Sequence, residues 1–178
     1  YFKKEVSSYV GSDRFVEETL PHEITHLVFR DFVGFEGQVP LWLDEGVAQW
    51  QELSKRQLVK IFVRQLYDEK RLVSLRRLTA MTPAYLRSDE AARRFYIQAA
   101  SLVDFLLERF GKDEFVHFCR QLRDGKSFDE SLRFAYGARL SGIQDLEKAW
   151  LGFIADIRLG QRKVVMPDGK IMYEIFVQ

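Results

Sequence analysis

The sequence His22-Glu23-Ile24-Thr25-His26 decides the fold, together with Leu41-Trp42-Leu43-Asp44-Glu45-Gly46-Val47-Ala48. Residues four apart on an α-helix lie on one face, so His22 and His26 can present two imidazole nitrogens to a single metal ion. Glu23 stands one step round the same helix, from which its carboxylate can take a proton from a water molecule on that ion. A catalytic zinc site takes three protein ligands and leaves a fourth position for water. The motif therefore requires one more ligand, for which Glu45 is the candidate.

The two segments together resemble the gluzincin metallopeptidases, and most closely the peptidase MA-like family. His22, Glu23 and His26 match the HExxH motif of that family, and eighteen residues separate His26 from Glu45, which begins the Glu-Gly-x-Ala motif. The resemblance extends from about residue 18 to residue 50. It implies a zinc ion held by His22, His26 and Glu45, with Glu23 as the general base. It also implies a peptide or protein substrate.

A weaker similarity follows at Phe95–Leu102. Related peptidases carry a Tyr that opens a helix near the zinc ion and donates a hydrogen bond to the oxyanion, so the resemblance implies this role for Tyr96. From the residues alone, Tyr96 is also typical of a core aromatic with its hydroxyl at the surface. Asp44 likewise has two interpretations, since it either orients a metal-bound His from outside the ligand set or is a solvated helix residue.

We predict an α+β fold that is predominantly α-helical. The resemblance makes it a zincin-like (gluzincin) catalytic domain with a short N-terminal strand and a C-terminal β-hairpin. Residues 1–178 are expected to form one domain. Within it we assign residues 12–53 to the zinc-site helices, residues 89–160 to a helical scaffold and residues 162–178 to the hairpin.

Apolar residues at helical spacing predict the individual helices. These are Leu41 to about Leu53, Lys55–Lys70, Asp89–Phe110, Asp113–Leu122, Phe128–Tyr136 and Ser141 to about Leu159. An earlier helical pattern starts near Ser12, and Pro21 either kinks it or lies in the first turn of a second helix. Thr79–Ser88 is interpreted as a loop, and the hairpin strands as Lys163–Met166 and Ile171–Val177.

Before the HExxH motif, only Glu5–Val10 is typical of a strand. Gluzincins usually place a multi-stranded sheet there. The resemblance therefore implies that an upstream segment or a partner chain completes the sheet. The chain begins at Tyr1 rather than Met, which suggests a processed product or an excised domain.

Composition narrows the classes of partner. The 27 basic and 26 acidic residues nearly cancel, so no overall field selects nucleic acid or an anionic membrane. The basic residues from Lys55 to Arg77 are interpreted as a solvated face. No apolar run is long enough for a transmembrane segment. The single Cys119 excludes an internal disulfide and a Cys-based zinc site, and we expect it to be a small buried hydrophobe.

These observations favour a zinc metallopeptidase that uses a metal-activated water molecule. An endopeptidase is preferred over an aminopeptidase, because the sequence has no recognisable acidic motif that would bind a free substrate amine. Two alternatives stay open. One is a catalytically silent zinc-binding module, and the other is a helical domain that binds a partner through its basic stretch. His117, the third His, has no ligand partner at helical spacing and is expected to be structural or exposed.

Overall fold

Helices dominate the structure, which is a computed structural model that describes residues 19–34, 39–52, 56–168 and 170–178. The elements in chain order are α1 (Leu20–Val33), α2 (Leu41–Gln51), α3 (Arg56–Asp68), α4 (Leu75–Thr79), α5 (Asp89–Phe110), α6 (Lys112–Arg123), α7 (Phe128–Tyr136), α8 (Ile143–Asp156), β1 (Leu159–Val165) and β2 (Ile171–Val177). The predicted α+β class, predominantly helical with a C-terminal hairpin, is confirmed. The strand predicted at Glu5–Val10 lies outside the described residues, and the assignment of residues 1–178 to one domain stays a prediction.

Local sequence explains most helix boundaries. Pro21 lies in the first turn of α1, where its missing N–H would have no intrahelical partner. Gly34, at the end of α1, has a φ of 85°, which favours glycine. The hydroxyl of Ser88 accepts a hydrogen bond from the backbone N–H of Ala91 and caps α5. Helices α5 and α7 begin and end at the predicted residues, Asp89–Phe110 and Phe128–Tyr136.

Three segments differ from the predictions. Helix α4 was not predicted, and it forms because Ser74 caps it while Leu75 and Leu78 are buried. The predicted loop Thr79–Ser88 contains a 3-10 turn at Pro83–Tyr85. Helix α8 ends at Asp156 rather than near residue 159, because the chain extends there into a longer β1.

The hairpin is antiparallel, with its register running from Leu159↔Val177 to Val165↔Ile171. Leu159 and Val177 pack against the helical core, whereas Val165 and Ile171 at the other end are exposed. None of the described helices is both long and apolar enough to cross a membrane.

The core is centred on the contact between α2 and α5. Helix α2 packs against α1 on one side and against α5 on another. Trp42, Leu43 and Ala48 of α2 are fully buried. A Cβ atom added at Gly46 would lie 2.6 Å from the carbonyl oxygen of Ala99 on α5, closer than carbon and oxygen can pack. Gly46 therefore allows the two helices to approach at this point.

The remaining helices form a scaffold around this pair. Helix α6 packs against α7, and both contribute buried aromatic or aliphatic side chains to the core. Cys119 on α6 is buried, which confirms its predicted role, and this burial raises the pKa of its thiol to about 12. The predicted solvated basic face is only partly correct. Lys60 donates a hydrogen bond to Glu108, and Arg64 donates to backbone carbonyl groups near the end of α8.

We expect Gly46→Ala to lower the free energy of unfolding by about 1–3 kcal/mol, because the added methyl group meets backbone atoms that no rotamer change can move. Urea denaturation of the metal-free protein would measure the change. The matched control is Gly152→Ala on α8, where an added Cβ meets nothing within 4 Å. That variant should gain up to about 1 kcal/mol from helix propensity. Equal stability of the two variants would contradict the packing role of Gly46.

Candidate metal centre

Two neighbouring helices bring the predicted ligands together. His22 and His26 lie on successive turns of α1, and Glu45 lies in the first half of α2. The Nε2 atoms of His22 and His26 are 3.1 Å apart. The Glu45 Oε2 atom is 3.6 Å from His26 Nε2 and 4.0 Å from His22 Nε2. Three potential ligand atoms therefore converge on one small volume.

The donor set fits a zinc ion. Zinc–ligand bonds of about 2.0–2.1 Å in a tetrahedral site place the ligand atoms about 3.3 Å from one another. The three observed separations lie on either side of that value. Imidazole nitrogen and carboxylate oxygen are also the donors that zinc takes in proteins. Both the chemistry and the spacing are thus those of a three-ligand site.

A carboxylate faces the other nitrogen of each imidazole ring. His26 Nδ1 lies 2.9 Å from Asp44 Oδ1, and His22 Nδ1 lies 3.2 Å from Glu52 Oε1. An ionised carboxylate can only accept a hydrogen bond, so each Nδ1 carries a proton and donates it. Between the two Nε2 atoms there is then a place for one positive charge, which a proton supplies in a hydrogen bond between the rings and which a zinc ion would supply in the carboxylate–histidine–zinc arrangement.

The charges around His26 favour a cation. Burial alone would lower the pKa of His26, but hydrogen bonds and negative charge from Asp44 and Glu45 raise it to about 9. Burial would raise the pKa of Asp44, whereas hydrogen bonds from His26 and Arg30 hold it below its usual range. Asp44 therefore stays ionised, and the surroundings stabilise positive charge at the point where the ligand atoms meet.

The two interpretations of Asp44 can now be separated. Asp44 is 8% exposed and contacts His26, so it is not a solvated helix residue. Sequence reasoning missed the equivalent partner of His22. This partner is Glu52, which the sequence analysis gave no role and which is also only 8% exposed. Its signal was its position seven residues after Glu45, two helical turns further on the same face.

Glu23 and Tyr96 are both half-buried. Their predicted catalytic roles stay predictions. Glu23 follows His22 on α1 and is turned about 100° round the helix from it. Tyr96 lies in the second turn of α5. Burial and the negative charge of Glu45 raise the pKa of the Tyr96 hydroxyl, so the two side chains are close enough to interact electrostatically. His117 is exposed on α6, as predicted.

Comparison with known proteins gives one match. A family model described as the peptidase MA superfamily matches residues 11–155, which contain His22, His26, Glu45 and Tyr96. No curated protein and no solved structure shows a significant match. The family match confirms the resemblance inferred from the sequence. Because it covers most of the 178 residues, the chain belongs to the peptidase MA superfamily.

Proposed function

We propose that this chain is a zinc-dependent metallopeptidase that hydrolyses peptide bonds. His22, His26 and Glu45 are the zinc ligands in this proposal. The observation that carries it is the convergence of their ligand atoms within 4.8 Å, with a carboxylate on the outer nitrogen of each imidazole. Membership of the peptidase MA superfamily supports a peptide or protein substrate.

In the proposed reaction, Glu23 transfers a proton and Tyr96 donates a hydrogen bond. When bound, a zinc ion held by the three ligands would act as a Lewis acid and would lower the pKa of a bound water molecule to about 7. Glu23 accepts the proton of the water molecule that attacks the scissile carbonyl carbon, and then passes that proton to the leaving amine. Tyr96 donates a hydrogen bond to the carbonyl oxygen as negative charge develops on it. The Tyr96 hydroxyl is able to donate at neutral pH, because the ordinary pKa of a tyrosine is about 10 and burial and Glu45 raise the pKa of Tyr96 further.

The proposal extends to the type of bond and to the domain. We assign the activity to internal peptide bonds, because the sequence has no recognisable motif for a free substrate amine. The test compares the cleavage rate of internally quenched peptides whose ends are blocked with the cleavage rate of substrates that carry a free N-terminal amine.

We further propose that residues 1–178 form one zincin-like domain, whose sheet is completed by an upstream segment or by a partner chain.

His22→Ala and His26→Ala should each abolish stoichiometric zinc binding, because each removes one of three protein ligands. Elemental analysis of protein purified without chelators measures this directly. His117→Ala is the matched control, since His117 is exposed on α6, and it should keep the zinc content of the wild type. Wild-type zinc content in either site variant would show that the ligands are assigned incorrectly.

Glu23→Gln should keep its zinc while peptide cleavage falls by about 100- to 10,000-fold, because the amide cannot accept the proton from water. Turnover of a mixture of internally quenched peptides measures the loss. Glu69→Gln, at an exposed position after α3, should behave as the wild type. If the wild type binds zinc but cleaves no peptide, the alternative of a silent zinc-binding module is supported instead.

Tyr96→Phe should lower kcat by about 100- to 1,000-fold at unchanged zinc content, because it removes one hydrogen bond to the oxyanion and preserves the ring. The control is Tyr85→Phe in the exposed 3-10 turn, for which we expect no change. Steady-state kinetics on one cleaved peptide separates kcat from KM. An unchanged kcat would favour the interpretation of Tyr96 as a packing residue.

A further inference from the structure

Two residues of α1 hold the Asp44 carboxylate from different sides. Its Oδ1 atom accepts a hydrogen bond from His26 Nδ1 at 2.9 Å. Its Oδ2 atom accepts from Arg30 Nε at 2.9 Å and from Arg30 Nη2 at 2.5 Å. Arg30 follows His26 by four residues, so both donors project from the same face of the helix. The carboxylate cannot turn without breaking one of these sets of contacts.

The other imidazole has a longer contact on its outer nitrogen. His22 Nδ1 lies 3.2 Å from Glu52, compared with 2.9 Å between His26 and Asp44. The fork of Arg30 adds directional hydrogen bonds to Asp44, because the donors of a guanidinium are fixed in one plane. The ring of His26 therefore has its orientation set by a chain of contacts that begins at Arg30.

We infer that Arg30 is a positioning residue for the metal ion and acts through Asp44 to keep His26 Nε2 aimed at the site. This inference rests on the proposed zinc site. Partners of this kind, which lie outside the ligand set, orient the ring and fix which nitrogen carries the proton. Arg30 itself touches neither the ion nor the substrate in this role.

Orientation and charge make opposite predictions for Arg30. The guanidinium is positive and lies one carboxylate away from a site for a dication, so its charge alone disfavours metal binding. If charge were its main effect, a neutral residue at this position would bind metal more tightly. If positioning is its main effect, the neutral residue leaves Asp44 and His26 without a fixed orientation, and metal binds more weakly. The sign of the change in affinity separates the two.

The test compares the metal affinity of the wild type, Arg30→Gln and Arg30→Lys, with Zn²⁺ measured by competition against a chromophoric chelator. Co²⁺ is added in a second experiment, because its visible spectrum reports the geometry of its ligands. The side chain of Arg30 is 48% exposed and lines a cavity of about 570 Å³, so shortening it leaves no void in the core. Circular dichroism and thermal unfolding of the metal-free variants establish that each one folds.

We expect Arg30→Gln to bind Zn²⁺ about 10- to 100-fold more weakly and to show an altered Co²⁺ spectrum. Arg30→Lys should lie between that variant and the wild type, because lysine keeps the charge but lacks the planar fork. The control is Arg162→Gln, which breaks an exposed ion pair with Glu174 on the hairpin and should leave the affinity unchanged.

Zinc affinity in Arg30→Gln equal to or above that of the wild type would overturn the positioning role. If that variant fails to fold, Arg30→Lys decides, and a wild-type affinity and spectrum would overturn the inference. A wild type that binds neither metal would overturn the zinc site itself, and the role of Arg30 with it. The two failures are therefore distinguishable.

Discussion

The contact between Gly46 and the Ala99 carbonyl group is the constraint on which the rest of the structure depends. Successive residues of a helix point about 100° apart. When Gly46 turns toward α5, Glu45 and Asp44 turn toward α1, where both contact His26. The same close approach places α5 where the charge of Glu45 acts on Tyr96. One residue without a side chain thus aligns three helices around the candidate centre.

Negative charge is concentrated in the interior next to this packed contact. Asp44 and Glu52 are buried, and each would cost free energy if it were left without a partner. Both carboxylates contact imidazole rings, and Asp44 also contacts a guanidinium group. Replacing buried ion pairs with well-packed apolar residues is often neutral or stabilising, so a buried charged cluster is weak evidence of a stabilising role. The cluster fits the proposed cation site, and polar exceptions of this kind are expected at functional sites.

The sequence predicted the parts of the molecule that follow from spacing along one helix. His22 and His26 are four residues apart, and the limits of α5 follow from Ser88 and Gly111. Spacing along one helix does not predict contacts between helices, and Glu45 on α2 was named only through the family motif. Arg30 and Glu52 resemble ordinary surface charges in the sequence, and only the packing of α1 against α2 reveals their partners. The end of α8 was missed because the pairing of β1 with β2 overrides local helix preference there.

The candidate ligands come from both α1 and α2, so metal binding would affect the stability of the folded chain. An ion bound there would join the two helices, and by mass action its concentration would enter the stability of the chain. At 100 times its dissociation constant, an ion that binds only the folded state adds about 2.7 kcal/mol. If the proposed zinc site is correct, a shortage of the metal would lower the stability of the folded chain as well as its activity.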